Sequence, residues 1–446
     1  MTTPTNSGTG SALARANDPA LTSFIPVEAE SHFPIQNLPF GIFSTGGEAP
    51  RAGVAIGEYI ADLQVLAAAG LISGVDAAVL QQPTLNAFIA QGRAATSAVR
   101  EQISALLRHD NPVLRDNAAL RQKALVPMAD ATMHLPVHVG GFSDFMLSRE
   151  HSINCVDILG GSPGSGTLWP NWTYLPMAYN GRASSVVVSG TPVKRPWGQV
   201  VSAGDTAPRY QPSQKLDFEL EAAVIIGAGN ALGDTIAINQ AEQHAFGVVL
   251  LNDWSTRDIQ AWEAQPLGVF VSKGHRTSIS PWVVTFDALE PFRIAGPEQS
   301  PKPLPYLNQQ GLRNFDVYMQ ASIKPQNADT ASVFCRSNLK YLYWSFAQQI
   351  AHHASTGCNM QTGDLLGTGT VSTTGPNGQG CLYEATRNGQ QTVTLEQGGT
   401  RVYLEDGDEV ELTAWAQGAG YRIGFGSCTG LVTPADAGHT ANNTNV

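Results

Sequence analysis

Residues 216–226 read LDFELEAAVII, with Phe218 and Leu220 alternating against Asp217, Glu219 and Glu221 before the run turns wholly apolar. A period of two is a strand signal, and it sets the three carboxylates on one face. Like charges so placed repel unless water or a cation screens them. Taken alone, the segment fits an ordinary solvated face of an edge strand equally well. Similar strand signals surround it: SSVVVSG (184–190), FGVVLLNDW (246–254), SPWVVTF (280–286), FDVYMQASI (315–323), TVTLEQ (392–397) and DEVELTAWA (408–416). One helix is predicted over Asn338–His352, where Leu339, Tyr343, Phe346 and Ile350 recur at helical spacing. Residues 138–434 therefore read as a mixed, largely antiparallel β domain with few helices.

Upstream, residues 23–130 read as a smaller domain. Short alternating runs broken by Pro and Gly give strands, and residues 62–122 carry Leu63, Leu66, Val99, Ile103 and Leu107 at helical intervals. The stretch from Ala124 to Phe145, punctuated by Pro127 and Pro136, reads as a linker into the second domain. Residues 1–22 and 435–446 read as disordered tails. The first lacks the apolar core of a signal peptide, and no run of 18 apolar residues is present.

Only 14% of the 446 residues are charged, against about 25% in an average soluble protein, so the chain folds around a large core. A net charge of −11 without a basic block argues against nucleic acid or an anionic membrane as partner. Five scattered cysteines, with no CxxC pair, suit reduced thiols in a cytoplasmic protein.

Two further carboxylates stand where buried strands end: Asp144 in GGFSDFMLSREH (140–151) and Asp253 in VVLLNDWSTRDIQAWE (248–263). The Ser255–Asp258 spacing resembles a capping box, which places Asp253 just before a helix and gives Asp258 a structural task. Asp144, Glu219, Glu221 and Asp253 together offer an all-oxygen site that suits Mg²⁺ or Ca²⁺ better than Zn²⁺.

At these residues the sequence resembles the fumarylacetoacetase family, the fumarylacetoacetate hydrolases of full-length, two-domain type. The likeness runs from Ser23 to Val432 through FPIQNLPFGIFST (33–45), DFMLSREHSIN (144–154), PNWTYLPMAYNGRASSVVVSGTPV (170–193), NDWSTRDIQAWE (252–263) and GCNMQTGDLLGTGTVS (357–372). The resemblance implies a mainly β (α+β) chain: an N-terminal SH3-like β-barrel, then a catalytic β-roll domain, assembled as a homodimer. It implies hydrolysis of a carbon–carbon bond in a 1,3-diketo acid, with 4-fumarylacetoacetate giving fumarate and acetoacetate in tyrosine catabolism. By the same resemblance Asp144, Glu219, Glu221 and Asp253 are metal ligands, with Lys273 and Thr277 beside the metal. His151 is the catalytic histidine and Glu384 orients it. Lys273, Arg257 and Gln260 stabilise developing charge, and Tyr179, Gly369 and Thr370 line the substrate pocket.

The chemistry suits these residue types. A cation chelated by a dione polarises the attacked carbonyl, and an imidazole fixed by a carboxylate takes a proton from water. The bland alternatives are core packing for Cys155 and for the helical pair His352–His353.

Departures from the family pattern bear on the substrate. Met146 and Ala264 stand where the family places tyrosines, and no Arg or Lys occurs between Arg149 and Arg182, where it places an arginine. Each charge-assisted hydrogen bond so lost is worth about 1.5–3 kcal/mol. His275 and Arg276 are additions in a loop the family fills with small or apolar residues, and Arg276 is a replacement cation. The alternatives are therefore the same cleavage of a different 1,3-diketone, decarboxylation or isomerisation of an oxo acid, and a non-catalytic binding protein on this fold.

Overall fold

The computed structural model describes residues 13–160 and 164–437. The chain is mainly β. Phe40–Thr45, Arg51–Ile56, Tyr59–Asp62, Leu125–Pro127 and Ala131–His134 form an antiparallel five-stranded sheet in which Phe40–Thr45 pairs with both Arg51–Ile56 and Ala131–His134. The turn at Gly57 needs glycine: its φ is +55°, and a Cβ there would lie 2.8 Å from the Pro26 carbonyl oxygen. Asp62 ends its strand and caps the next helix, Leu63–Ala68, by accepting from the Val65 N–H at 3.2 Å. The longer helix Arg93–Leu107 buries Val99, Ile103 and Leu107, one face at helical spacing.

Two readings from the sequence are corrected here. The stretch taken as a linker is structured: Leu125–Pro127 and Ala131–His134 are edge strands of the first sheet, and Phe142–Phe145 already belongs to the second domain. Only residues 135–141 join the two sheets. The end of the stretch taken as an N-terminal tail is docked. Ala16 is buried and donates its N–H to Glu101, while Asn17 donates to the Asp287 carbonyl. Residues 1–12 of that tail lie outside the described residues, as do 438–446. Asp436, in the other tail, accepts from Lys194 Nζ at 2.9 Å.

The second domain holds two sheets. The eight-stranded one runs Ala178–Asn180, Phe142–Phe145, Leu365–Gly367, Leu220–Ile226, Ala245–Asp253, Thr277–Ile279 and Val186–Val188, with Val284–Thr285 also on Ala245–Asp253. The other orders Ser332–Asn338, Tyr318–Lys324, Glu409–Gln417, Arg422–Thr433 and Val193–Lys194. Leu220–Ile226 and Ala245–Asp253 are buried along their whole length. Their alternate residues serve two cores. Ala222, Val224, Val248 and Leu250 pack toward the second sheet, and Ala223, Ile225, Val249 and Leu251 pack toward the N-terminal domain. A strand covered on both faces loses polar alternation, which is why the run after Glu221 is apolar throughout.

The two domains are continuous in structure. Phe40 and Val283 exchange two backbone hydrogen bonds, and Phe40 lies 5.6 Å from Phe246 between ring centres. The helix predicted over Asn338–His352 is shorter, Phe346–His353, because Asn338 ends a strand and Ser345 starts the helix with a capping box closed by Gln348. Among the described residues no helix is long and apolar enough to cross a membrane.

Candidate active site

The strand order brings four distant carboxylates together. Asp144 lies on Phe142–Phe145, opposite Gly367 of the neighbouring strand, and Glu221 opens Leu220–Ile226 one strand further on. Asp253 ends Ala245–Asp253, and Glu219 precedes Leu220. One oxygen from each lies within 4.8 Å of the others, and all four residues are buried. Gly367 makes room for this: a Cβ there would stand 2.4 Å from Asp144 Oδ1. Gly369, at φ +71°, turns its N–H onto the same oxygen at 3.2 Å. The hydroxyl of the next residue, Thr370, is buried without a partner.

The cluster is only partly neutralised. Lys273 Nζ donates to Asp253 Oδ2 at 3.0 Å and also to Glu219. Arg257 Nη2 donates to Glu219 Oε1 at 2.8 Å, its Nε to Asp217 at 2.9 Å and its Nη1 to Gln260 at 3.1 Å. Tyr179 OH and Thr277 Oγ1 donate to the two oxygens of Asp253 at 2.6 and 3.1 Å. Both oxygens of Glu221 are buried with no hydrogen-bond partner.

The electrostatics follow from this distribution. Burial, then the charge of Asp253, pushes the Asp144 carboxyl up to about 7. Burial, then Asp144 and Glu219, holds Glu221 well above the carboxylate range. Burial also pushes Glu219 upward, but Lys273 and Arg257 outweigh it and the group lies below its ordinary value. Four clustered carboxylates, one of them bare, fit a hard divalent cation, which removes the repulsion that raises Asp144 and Glu221.

Beside this cluster lies a second, self-contained unit. Ser148 caps the helix Arg149–Ile158 and so places His151 in its first turn. His151 Nδ1 meets Glu384 Oε1 at 2.5 Å. The Glu384 carboxylate also accepts from Ser372 Oγ at 2.8 Å, Asn154 Nδ2 at 2.7 Å and Cys381 Sγ at 3.4 Å. Burial raises Glu384, but His151 and these donors bring it below its ordinary value. Burial lowers His151, while Cys155 and Glu384 outweigh that and hold the imidazole well above its usual range. His151, Cys381 and Glu384 also lie within 4.8 Å of one another, but Glu384 is already saturated with donors, so the trio reads as a hydrogen-bond network.

This arrangement is matched in known proteins. The family described as "Fumarylacetoacetase N-terminal" matches residues 36–136, and "Fumarylacetoacetate (FAA) hydrolase C-terminal" matches residues 165–433. The chain belongs to the fumarylacetoacetase family. It is 49% identical to the fumarylacetoacetase of Oryza sativa subsp. japonica over 430 residues, covering 95% of this chain and 100% of the rice protein. It is 49% identical to that of Bos taurus and 47% identical to that of Homo sapiens, covering 93% of this chain and 99% of each relative. The solved fumarylacetoacetate hydrolase of Exiguobacterium antarcticum shares the fold, with a TM-score of 0.50 at 18% identity over 89% of this chain and 99% of that one.

Several placements differ from what a fumarylacetoacetase-like sequence alone suggests. Asp217 stands apart from the four-carboxylate group: it accepts from Arg257 and from the N–H groups of Leu382 and Tyr383, tying the Glu384 segment to Arg257. The capping box at Ser255–Asp258 does not form. Thr256 is the N-cap of Arg257–Glu263 and makes no side-chain cap, while Asp258 accepts from Ser213 Oγ and the Gln214 N–H. Cys155 is more than packing, since its Sγ lies 3.5 Å from His151 Nε2. His353 bonds Ser143, and His352 bonds Tyr306, away from the cluster. Met146 hands its carbonyl to Trp172 Nε1 and packs against the core, and Ala264 closes the Arg257–Glu263 helix. Arg276 has a buried Nε with no partner. Asn154 was open to sequence reasoning, three residues after His151 on one helix face. Ser372 was not, because only the fold brings it to Glu384.

Proposed function

We propose that this chain hydrolyses 4-fumarylacetoacetate to fumarate and acetoacetate, a carbon–carbon bond cleavage belonging to tyrosine breakdown. The observation that carries the reading is the pairing, in one buried site, of an imidazole–carboxylate couple with a four-carboxylate cluster, in a chain alike along its length to curated fumarylacetoacetases.

Asp144, Glu219, Glu221 and Asp253 would hold a divalent cation, Mg²⁺ or Ca²⁺ by the hardness of their oxygens. When bound, it supplies Lewis acidity to a chelated dione. His151, its Nδ1 engaged by Glu384, keeps Nε2 for a proton from water. The hydroxide so formed adds to the dione carbonyl. The carbon–carbon bond then breaks with its electron pair on the departing enolate, and the proton held at Nε2 returns to that carbon. Glu384 steadies the imidazolium between the two transfers. Lys273 and Arg257, each engaged with Glu219, fix that carboxylate and place positive charge beside the developing oxyanion. Gln260 holds Arg257, and Tyr179 and Thr277 hold Asp253. Gly369 and Thr370 line the substrate side.

The same reading makes the N-terminal sheet an SH3-like barrel, the protein a homodimer and the compartment cytoplasmic. A second reading, the same cleavage of a less acidic 1,3-dione, draws support from Met146 and Ala264, which bring no side-chain donor to the substrate.

Loss of enol absorbance over a panel of 1,3-diketo acids tests both readings. Fumarylacetoacetate should be consumed fastest, releasing fumarate and acetoacetate in equal amounts. A faster neutral dione would favour the second reading. Release of CO₂, or an isomer with all carbons retained, would end both.

A further inference from the structure

The short turn from Lys273 to Thr277 is pinned at both ends to one carboxylate: Lys273 Nζ is 3.0 Å from Asp253 Oδ2, and Thr277 Oγ1 is 3.1 Å from Oδ1. The residues between the pins therefore sit against the four-carboxylate cluster. Their approach is held from several sides. Ser185 Oγ donates to the Gly274 carbonyl at 2.6 Å and Thr256 Oγ1 to the Ser272 carbonyl at 3.1 Å. The Glu263 carboxylate accepts the N–H groups of Phe270 and Val271 at 2.7 and 3.1 Å.

Within so well bonded a turn, the two middle side chains are the exception. Both ring nitrogens of His275 and Nε of Arg276 are buried with no partner. Unmade hydrogen bonds at buried groups are costly, and three on consecutive residues mark a place where a ligand supplies the acceptor. The site's other cations are already engaged: Arg257 by Asp217, Glu219 and Gln260, and Lys273 by Glu219 and Asp253.

We propose that His275 and Arg276 form a subsite that anchors a carboxylate of the substrate and selects acidic over neutral 1,3-diones. The inference rests on the hydrolase reading for the identity of the ligand, and on the unpartnered nitrogens for its charge. Imidazole N–H and guanidinium together make a fork suited to a carboxylate.

The test compares fumarylacetoacetate with its neutral dimethyl ester in the parent, R276Q, R276K and H275F. The ratio of kcat/KM for diacid over diester should fall about 10- to 100-fold in R276Q, the loss expected for one charge-assisted hydrogen bond, carried mainly by KM for the diacid. R276K should restore part of it, and H275F should lower it less than R276Q. An unchanged ratio in R276Q and H275F overturns the proposal. So does an equal loss on both substrates, which marks a purely structural turn. Fumarate titrated into parent and R276Q by calorimetry, with and without Mg²⁺, gives a readout free of turnover. If the parent cleaves neither substrate, the hydrolase reading fails and this titration alone decides. Weaker fumarate binding in R276Q than in H151A upholds the subsite, and equal binding removes it.

Discussion

The two halves of the site solve opposite electrostatic problems. Glu384 is buried but saturated: four side-chain donors surround it and its carboxyl lies below its ordinary range. Glu221 is equally buried and bare, and its carboxyl lies far above that range. A buried carboxylate is tolerable when paired and costly when not. The difference indicates that the His151–Glu384 half is complete as the chain folds, while the carboxylate half is built to be completed by a cation.

Removing the cation should break the comparison most sharply. Prolonged chelation should lower turnover about 10³-fold or more, with recovery on adding Mg²⁺ or Ca²⁺, because several kcal/mol of charge stabilisation are lost. D253N should do the same irreversibly, since Lys273, Tyr179 and Thr277 also converge on that carboxylate. Turnover by D253N near the parent rate would mean that the cluster is not where the reaction is driven. Next in size, H151A should lose about 10²–10⁴-fold in kcat while binding Mg²⁺ as the parent does in calorimetry. Weakened metal binding in H151A would erase the division between the halves.

How far this division could be read beforehand depends on the range of the interactions. Glu219 and Glu221 share a face by strand alternation, a local rule, so their proximity was legible in LDFEL itself. Asp144 and Asp253 reach them only through the sheet order, which no spacing encodes; there the family resemblance supplied what periodicity could not. The apolar strands 220–226 and 245–253 announced themselves because both faces are covered. Ala131–His134 did not, since a four-residue edge strand with a polar end carries too little pattern to tell from a linker. The docking of Ala16 and Asn17 was equally hidden, because it rests on single bonds to Glu101 and Asp287 and on no hydrophobic run.

E384Q sharpens the complete half. An amide keeps the shape but loses the charge that steadies an imidazolium, so kcat should fall about 10²-fold or more. The acid limb of the pH–rate profile should also move to lower pH, because Glu384 is one of the groups holding His151 above its usual range. A limb that stays in place would show that Glu384 does not govern the proton at His151.

The smallest effect concerns the incomplete half at rest, and its sign is fixed by linkage. Without metal, Asp144 holds its proton up to about 7 in the folded chain, against 3.8 when unperturbed. Between those values the folded state binds a proton that the unfolded state has released, so folding stability falls as pH rises and the loss is complete above about 7. Glu221, raised further, extends the same trend upward. The melting temperature of metal-free protein should therefore drop by a few degrees between pH 5 and 8 in thermal scans, and saturating Mg²⁺ should abolish the drop. E221Q should flatten the metal-free curve as well, since it removes one of the repelling charges, yet it should gain nothing from Mg²⁺. A metal-free parent whose stability rises over that range would mean that the carboxylates are already neutralised by the protein itself, and the contrast with Glu384 would disappear.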